Sequence, residues 1–164
     1  MPRRLAAVLL VVLAACSSST KTQISPDLHI EDVAAAVAAV EAKLPGAQYT
    51  EINVAHEGVN LFVVASPGRE RSYLYAAGQL NAPTPEQPVE GEPFAVTGVP
   101  LDQAAKVEAF VTKQFKGSTV TSVALVVVKP NGLVWAVRSQ SVKGGLLNSF
   151  FSPDGKIISA LPAK

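Results

Sequence analysis

The sequence predicts an α+β protein made of two tandem α-β-β-β(-β) units. Their strands are expected to form an antiparallel sheet, with the helices packed on one face. Amphipathic helical patterns over residues 30–44 and 101–115 are each followed by a series of strand patterns. Glycines end the two helical patterns at matching points, Gly46 and Gly117. The connections between strands are too short for parallel crossovers, which favours antiparallel pairing.

The first unit is predicted over residues 27–98. Its helix carries an apolar stripe and ends at Pro45-Gly46, a pair that stops helices. Its first strand alternates, with Ile52 and Val54 on one face and polar residues on the other. Strands are expected at residues 49–56, 59–66 and 72–77, with a fourth at 93–98.

Residues 81–93 form an insertion in this unit that is rich in proline and glutamate. Such a composition favours an extended backbone and is incompatible with an interior strand. Two interpretations stay open at this point. The insertion is either a solvated loop that joins the two units or a stiff acidic arm directed toward a basic partner.

The second unit is predicted over residues 99–164. Its helix ends at Lys116-Gly117, and the turn sequences Pro130-Asn131-Gly132 and Pro153-Asp154-Gly155 favour hairpins. Strands are expected at residues 120–129, 133–142, 146–152 and 156–161. The offset between Ile52 and Val123 equals that between the two helix-ending glycines. A single α+β domain whose halves match by chance is the alternative.

This order of elements resembles the tandem design of the β-lactamase-inhibitor-protein family and the PepSY-type modules of secreted bacterial proteins. The resemblance covers residues 30–164 and rests on element order and repeat length, so it transfers no functional residue. It implies modules that bind other proteins, often enzymes, without catalysis. Each unit here has one helix where the inhibitor family has a pair, and the cysteines of that family's disulfides are absent.

Residues 1–15 have the features of a signal peptide. Arg3 and Arg4 precede a continuous apolar run that is too short to span a bilayer. The run ends in Leu-Ala-Ala before Cys16, which resembles the lipobox of bacterial lipoproteins. The resemblance implies that the Cys16 thiol receives a diacylglycerol group, that the leader is cleaved before it, and that the new amino terminus can be acylated, as with palmitate.

Residues 16–26 then comprise the lipidated cysteine and a polar, flexible tether. Two or more acyl chains anchor a protein stably, whereas one binds a membrane only marginally. The expected location is therefore the cell membrane or the outer membrane, facing outside the cytoplasm. The alternatives are a secreted protein with an incidental cysteine and an N-terminal transmembrane helix.

Charge and cysteine content exclude several classes of function. Of the 14 Lys and Arg residues, Arg3 and Arg4 lie in the leader, which leaves 12 against 13 Asp and Glu. This balance lacks the basic stripe of a nucleic-acid-binding protein. Cys16 is the only cysteine, so the chain contains neither an internal disulfide nor a multi-cysteine metal site.

The sequence contains no recognisable catalytic motif, which predicts that the protein is not an enzyme and needs no metal or cofactor. His29 lies near Glu31 and Asp32, but a helix entry seldom brings together the ligands that a metal requires. His56 lies beside Glu57, which permits a general base with a carboxylate partner, although a histidine ending a strand is the simpler interpretation. No nucleophile elbow, zinc-binding motif or phosphate-binding glycine loop is present.

Aromatic residues on the predicted strands provide the best binding signal. If the helices cover one face, alternation places part of this set on the other face. A face rich in tyrosine and tryptophan with a nearby arginine has the composition of an interface. For any single aromatic residue a place in the core is the simpler interpretation, above all for Trp135, whose neighbours on both sides are apolar. The candidate binding residues are Tyr73, Tyr75, Trp135, Arg138 and Phe150.

The sequence therefore predicts a membrane-anchored envelope lipoprotein that carries a non-catalytic protein-binding module. Its partners would be the membrane, through the lipid, and an envelope protein. The alternative is a carrier of a lipid or hydrophobic small molecule, since the strand over residues 124–128 is apolar on both faces and suits a cavity wall. A hydrolase assembled around His56 is the third possibility.

Overall fold

The computed structural model describes residues 28–162. A short 3-10 turn at Ile30–Asp32 precedes the first helix. Two α-helices lie within these residues, α1 (Val33–Glu41) and α2 (Gln103–Gln114). The strands of the first half are β1 (Tyr49–Ala55), β2 (Gly58–Ser66), β3 (Arg69–Ala76), β4 (Gln79–Leu80) and β5 (Gln87–Pro88). Those of the second half are β6 (Ser118–Val128), β7 (Gly132–Ser141), β8 (Leu146–Phe151) and β9 (Ile157–Pro162).

The nine strands found within residues 28–162 all belong to one antiparallel sheet. Its order is β4-β3-β2-β1-β6-β7-β8-β9, and β5 pairs with β3 off this path. The two halves meet where β1 pairs antiparallel with β6, with Ile52 opposite Leu125 and Val54 opposite Val123. The prediction of a mixed α+β protein with an antiparallel sheet is confirmed at this level.

The prediction of a fourth strand at residues 93–98 is wrong. There the chain makes only an isolated bridge between Phe94 and Tyr49, which exchange backbone hydrogen bonds of 2.7 and 2.8 Å. Prolines at positions 93 and 100 limit how far a ladder extends, because proline has no N–H to donate. The short strands β4 and β5 follow β3 instead.

A single hydrophobic core gathers residues from both helices and alternate residues of the strands. α1 contacts β2 and β4, whereas α2 contacts β6 and β7. We call the sheet face that supplies these residues the core face and the other the opposite face. The core face carries Ile52, Val54, Val59, Leu61, Val63, Tyr73, Tyr75, Val123, Leu125, Trp135, Val137 and Phe151.

Glu41, at the end of α1, fixes the turn that leads into β1. Its carboxylate accepts a hydrogen bond from the Gly46 backbone N–H at 2.9 Å and another from the Tyr49 hydroxyl at 3.2 Å. Burial, together with the nearby Glu41 charge and this hydrogen bond, raises the pKa of Tyr49 well above its usual value. Tyr49 is therefore a neutral donor that joins the helix end to the strand.

The proline- and glutamate-rich segment, residues 81–93, lies along the sheet. Glu86 forms an ion pair with Arg71 at 2.9 Å, and its backbone carbonyl accepts a hydrogen bond from Arg69 at 2.6 Å. The buried Glu70 carboxylate accepts hydrogen bonds from the Thr50 hydroxyl at 2.6 Å and the Gln87 amide at 3.1 Å. These contacts make a loop held against the sheet, so an arm projecting from the fold is the wrong interpretation.

Candidate functional site

A groove of about 280 Å³ lies on the opposite face, across β1, β6, β7 and β8. Small side chains form its floor, since Ala124 pairs with Ala136 in the β6–β7 ladder and Ser122 precedes Ala124 on the same face of β6. Larger polar and aromatic groups stand around that floor. The residues lining it include Glu51, Asn53, Ser122, Ala124, Val126, Ala136, Arg138, Asn148 and Phe150.

The two ends of the groove carry opposite charges. Glu51 lies on β1 and Arg138 on β7, with β6 between them. The Arg138 side chain is exposed, and among residues 28–162 no carboxylate forms an ion pair with it. Its guanidinium is therefore available to a carboxylate on another molecule.

A second groove, of about 270 Å³, adjoins the Glu51 end. It is lined in part by Glu51, Glu70 and Glu90, so its charge is acidic. Burial raises the pKa of Glu51, and the charges of Glu70 and Glu90 act in the same direction. A hydrogen bond from Asn53 and the positive charge of Arg138 oppose this rise.

The raised pKa of Glu51 gives a prediction for stability. The folded protein therefore binds the Glu51 proton more tightly than the unfolded chain does. Below the pKa that Glu51 has in the unfolded chain, this contribution to the free energy of unfolding is fully present. It is lost as the pH rises through the higher pKa of Glu51 in the folded protein. Glu51→Gln should therefore raise the free energy of unfolding near pH 7 and have little effect near pH 4. Urea unfolding at both pH values measures this, with Glu57→Gln at an exposed turn as the control. An equal effect at the two pH values would contradict the prediction.

The structure separates the five candidate binding residues into two groups. Arg138 and the half-buried Phe150 line the groove on the opposite face. Tyr73, Tyr75 and Trp135 lie in the core instead, with exposures of 7%, 9% and 0%. Their register explains this: Trp135 pairs with Leu125 and Tyr73 with Leu61, both core residues. The hypothesis that these three rings form an exposed binding surface is corrected accordingly.

Sequence reasoning did not select Glu51, Asn53, Ser122 or Asn148 as site residues. A signal for the first two was present, because both alternate with the apolar Ile52 and Val54 along one strand. No local pattern in the sequence indicates that the polar face of β1 lies near residues of β7 and β8. The long-range register through β6 brings them together.

Neither histidine is among the residues that line the groove, since His56 follows β1 and His29 precedes the 3-10 turn. His56 Nδ1 is buried without a hydrogen-bond partner, and no serine or carboxylate among the described residues hydrogen-bonds to His56. The ligand atoms of His29, Glu31 and Asp32 lie within 4.8 Å of one another. These three side chains stand at an entry turn without a buried residue, a setting in which such groups are common without an ion.

Side chains fill the space between the helices and the sheet. The fully buried side chains there include Trp135, Tyr49, Ile52, Leu61 and Leu125. A groove of about 550 Å³ lies elsewhere, between the entry segment at Leu28 and Ile30 and the α2 residues Ala105, Glu108 and Thr112. Its wall mixes carboxylates and hydroxyls with apolar groups, unlike the apolar lining expected of a lipid carrier.

Comparison with protein-family models, curated proteins and solved structures finds no match to this chain. Within residues 28–162, neither helix has the length and apolar character needed to cross a membrane. Cys16 and the leader lie outside the described residues.

Proposed function

We propose that this chain is a membrane-anchored envelope lipoprotein whose folded part binds another protein without catalysis. The groove on the opposite face is the observation that carries the proposal, because at one end it presents Arg138, which forms no ion pair within residues 28–162. A broad sheet face with a small-residue floor suits a protruding loop of a partner. A lipid tether would keep that partner at a high local concentration.

The architecture supports this proposal if each half is one copy of an α-β-β-β unit. In that interpretation β1 and β6 are the first strands of the two copies, and their antiparallel pairing joins the copies edge to edge. Both helices then cover the core face, which leaves the opposite face to the partner. Apolar residues of α1 and α2 in one shared core support the arrangement.

The charges around the groove specify the chemistry of the partner loop. Arg138 would receive a carboxylate, and the acidic end at Glu51 and Glu90 would receive a basic side chain. Between them, the Ala124–Ala136 floor admits an apolar group against Phe150. The proposed partner therefore presents an acidic residue and a basic residue on either side of an apolar one.

Site-specific photo-crosslinking in cells of the native host tests this proposal. A crosslinking amino acid at Ala136 should give a protein-sized adduct, whereas one at the exposed Ala105 of α2 should not. Arg138→Ala should reduce the adduct, and Arg138→Lys should retain part of it. Truncating a charged residue that anchors an interface typically costs about 2 kcal/mol, roughly a thirty-fold loss of affinity. Equal adducts at both positions, or none at Ala136, would refute the proposal.

The carrier of a lipid or hydrophobic small molecule stays the second candidate. The apolar residues of β6 on the opposite face, Ala124, Val126 and Val128, are the observation that favours it. The same crosslinking experiment separates the two functions. An adduct of a few hundred to about 1,500 Da, in the mass range of a lipid, would favour the carrier.

Changing the proposed lipidation site tests the anchor separately. Cys16→Ser removes the only thiol in the chain, so no diacylglycerol can be attached. We expect this variant to lose partitioning into the detergent phase and to leave the membrane fraction after a salt wash. Ser17→Ala is the matched control and should behave as the parent does. A Cys16→Ser chain that still partitions like the parent would exclude the lipid anchor.

A further inference from the structure

The groove of about 550 Å³ beside α2, which we call the entry groove, lies where the described part of the chain begins. Leu28 and Ile30 line it and also pack against the hydrophobic core, which fixes the entry segment in place. Ala105 of α2 and Val120 of β6 complete its apolar wall. Residue 27 is therefore bonded directly to a residue of this wall, and the preceding segment starts from the groove.

The charge of the entry groove is acidic. Glu31 of the 3-10 turn and Glu108 of α2 line it, and the described residues contribute no basic side chain to its wall. Within residues 28–162 neither carboxylate forms an ion pair. Glu108 accepts a hydrogen bond from the Thr112 hydroxyl at 2.8 Å. The groove is therefore complementary to a segment that brings an apolar side chain and a positive charge.

The segment that leads into this groove has both of these groups. Between residues 17 and 27, Lys21 is the only cation and Ile24 the only large apolar residue. The one acidic residue, Asp27, lies at the far end from Lys21. Pro26 favours an extended backbone at the residue before it. The sequence thus places one apolar and one positive side chain three residues apart, on a segment attached to the groove wall.

The length of this segment matches the size of the groove. Ile24 is four residues before Leu28, a span of at most about 14 Å in an extended chain. The wall that α2 contributes runs from Ala105 to Thr112, about 10 Å along the helix axis. The reach of Ile24 is therefore comparable to the length of this wall, and Lys21, three residues earlier, has enough chain to reach its carboxylates.

We propose that residues 21–27 fold back into the entry groove, with Ile24 against its apolar wall and Lys21 beside Glu108. Burial of Ile24 removes apolar surface from water, and the ion pair fixes the direction of the segment along α2. The groove on the opposite face shares no lining residue with the entry groove, so the seated segment leaves it open to a partner.

The seated segment shortens the tether, a consequence that rests on the proposed lipid anchor at Cys16. Only residues 17–20 then stay free between the lipid and the folded part. The longest reach from Cys16 falls from about 40 Å for the twelve residues to Leu28 to about 17 Å for the five residues to Lys21. The anchor would therefore hold the folded part near the membrane and in a narrow range of orientations.

Disulfide trapping in the full chain, purified in detergent, tests the seating. A Cys16→Ser background leaves the introduced cysteines as the only thiols, so the result depends neither on lipidation nor on a partner. Under mild oxidation Ile24→Cys/Ala105→Cys should form an intramolecular disulfide about ten-fold faster than Ile24→Cys/Lys106→Cys, because Lys106 does not line the groove. Equal rates would show mere proximity, and a covalent dimer would assign the groove to a second copy. Either result, or no disulfide, would overturn the proposal.

Cleavage by trypsin after Lys21 provides a second readout without introduced cysteines. A seated segment must leave the groove before the protease can bind it, so the wild type should be cut slowly at this bond. Ile24→Ser should raise the rate about ten-fold through the lost apolar burial, whereas Ile24→Val should keep the wild-type rate. Glu108→Lys should also raise it, because two positive charges then face each other. A wild-type rate equal to that of Ile24→Ser would contradict the seating.

Discussion

Replacing Trp135 with alanine is expected to lower the free energy of unfolding by about 3–5 kcal/mol, which is typical of truncating a buried large aromatic side chain. Trp135 is 0% exposed and heads the fully buried side chains by volume. It stands between Leu125 of β6 and Phe151 of β8 in the register of the sheet. Alanine would leave a cavity under α2 that these neighbours only partly fill. Urea unfolding followed by circular dichroism measures the loss.

Two further substitutions separate packing from the polar part of the indole ring. Trp135 Nε1 has no hydrogen-bond partner among the described residues, so Trp135→Phe removes an unsatisfied donor while keeping most of the contacts. Its loss of stability should be clearly smaller than that of alanine. Phe110→Ala, at a ring 42% exposed, should also cost less. If Trp135→Ala left stability unchanged and abolished partner crosslinking instead, the core assignment would be wrong.

The second large effect is expected at Gly58, where β2 begins. Its φ is +136°, and a Cβ atom would lie 2.3 Å from the backbone carbonyl oxygen of Tyr75. Backbone atoms of a paired strand cannot move away without breaking the β2–β3 ladder, in which the adjacent Val59 pairs with Tyr75. Gly58→Ala combines this clash with backbone strain, and we expect a loss of about 3 kcal/mol or more.

Gly68→Ala is the matched control for Gly58→Ala. Gly68 also has a positive φ, +71°, but its Cβ would meet nothing within 4 Å. This variant therefore carries only the cost of a left-handed backbone, about 1–2 kcal/mol. Thermal and urea unfolding of the two variants compare them directly. Equal losses would mean that strain rather than close strand approach decides the effect at Gly58.

Local patterns explain why much of the secondary structure could be predicted. Apolar spacing marked both helices, although the structure shortens them to Val33–Glu41 and Gln103–Gln114. Alternation and the turn sequences marked the long strands of both halves. The prediction failed at residues 93–98, because Phe94 is held by Tyr49 in a single bridge and not by a neighbouring strand.

The sequence predicted the residues of the candidate site less well than it predicted the strands that carry them. The same argument from residue type selected all five candidate binding residues. Arg138 and Phe150 line the groove, whereas Tyr73, Tyr75 and Trp135 lie in the core. Alternation shows which residues of a strand share a face, but it does not show which of the two faces contributes to the core. That choice depends on contacts between residues far apart in the chain.

The sequence by itself determined the α+β class, the positions of the helices and long strands, and the expectation of a lipidated leader at Cys16. These follow from periodicity, turn residues and a short motif, all of which act within a few residues. The tertiary structure alone decided that the two halves share one sheet through β1 and β6, and that Glu51 lies across a groove from Arg138. It also placed β9 at the end of the order of the described strands. Strand order and register arise from long-range pairing, so a local pattern cannot specify them.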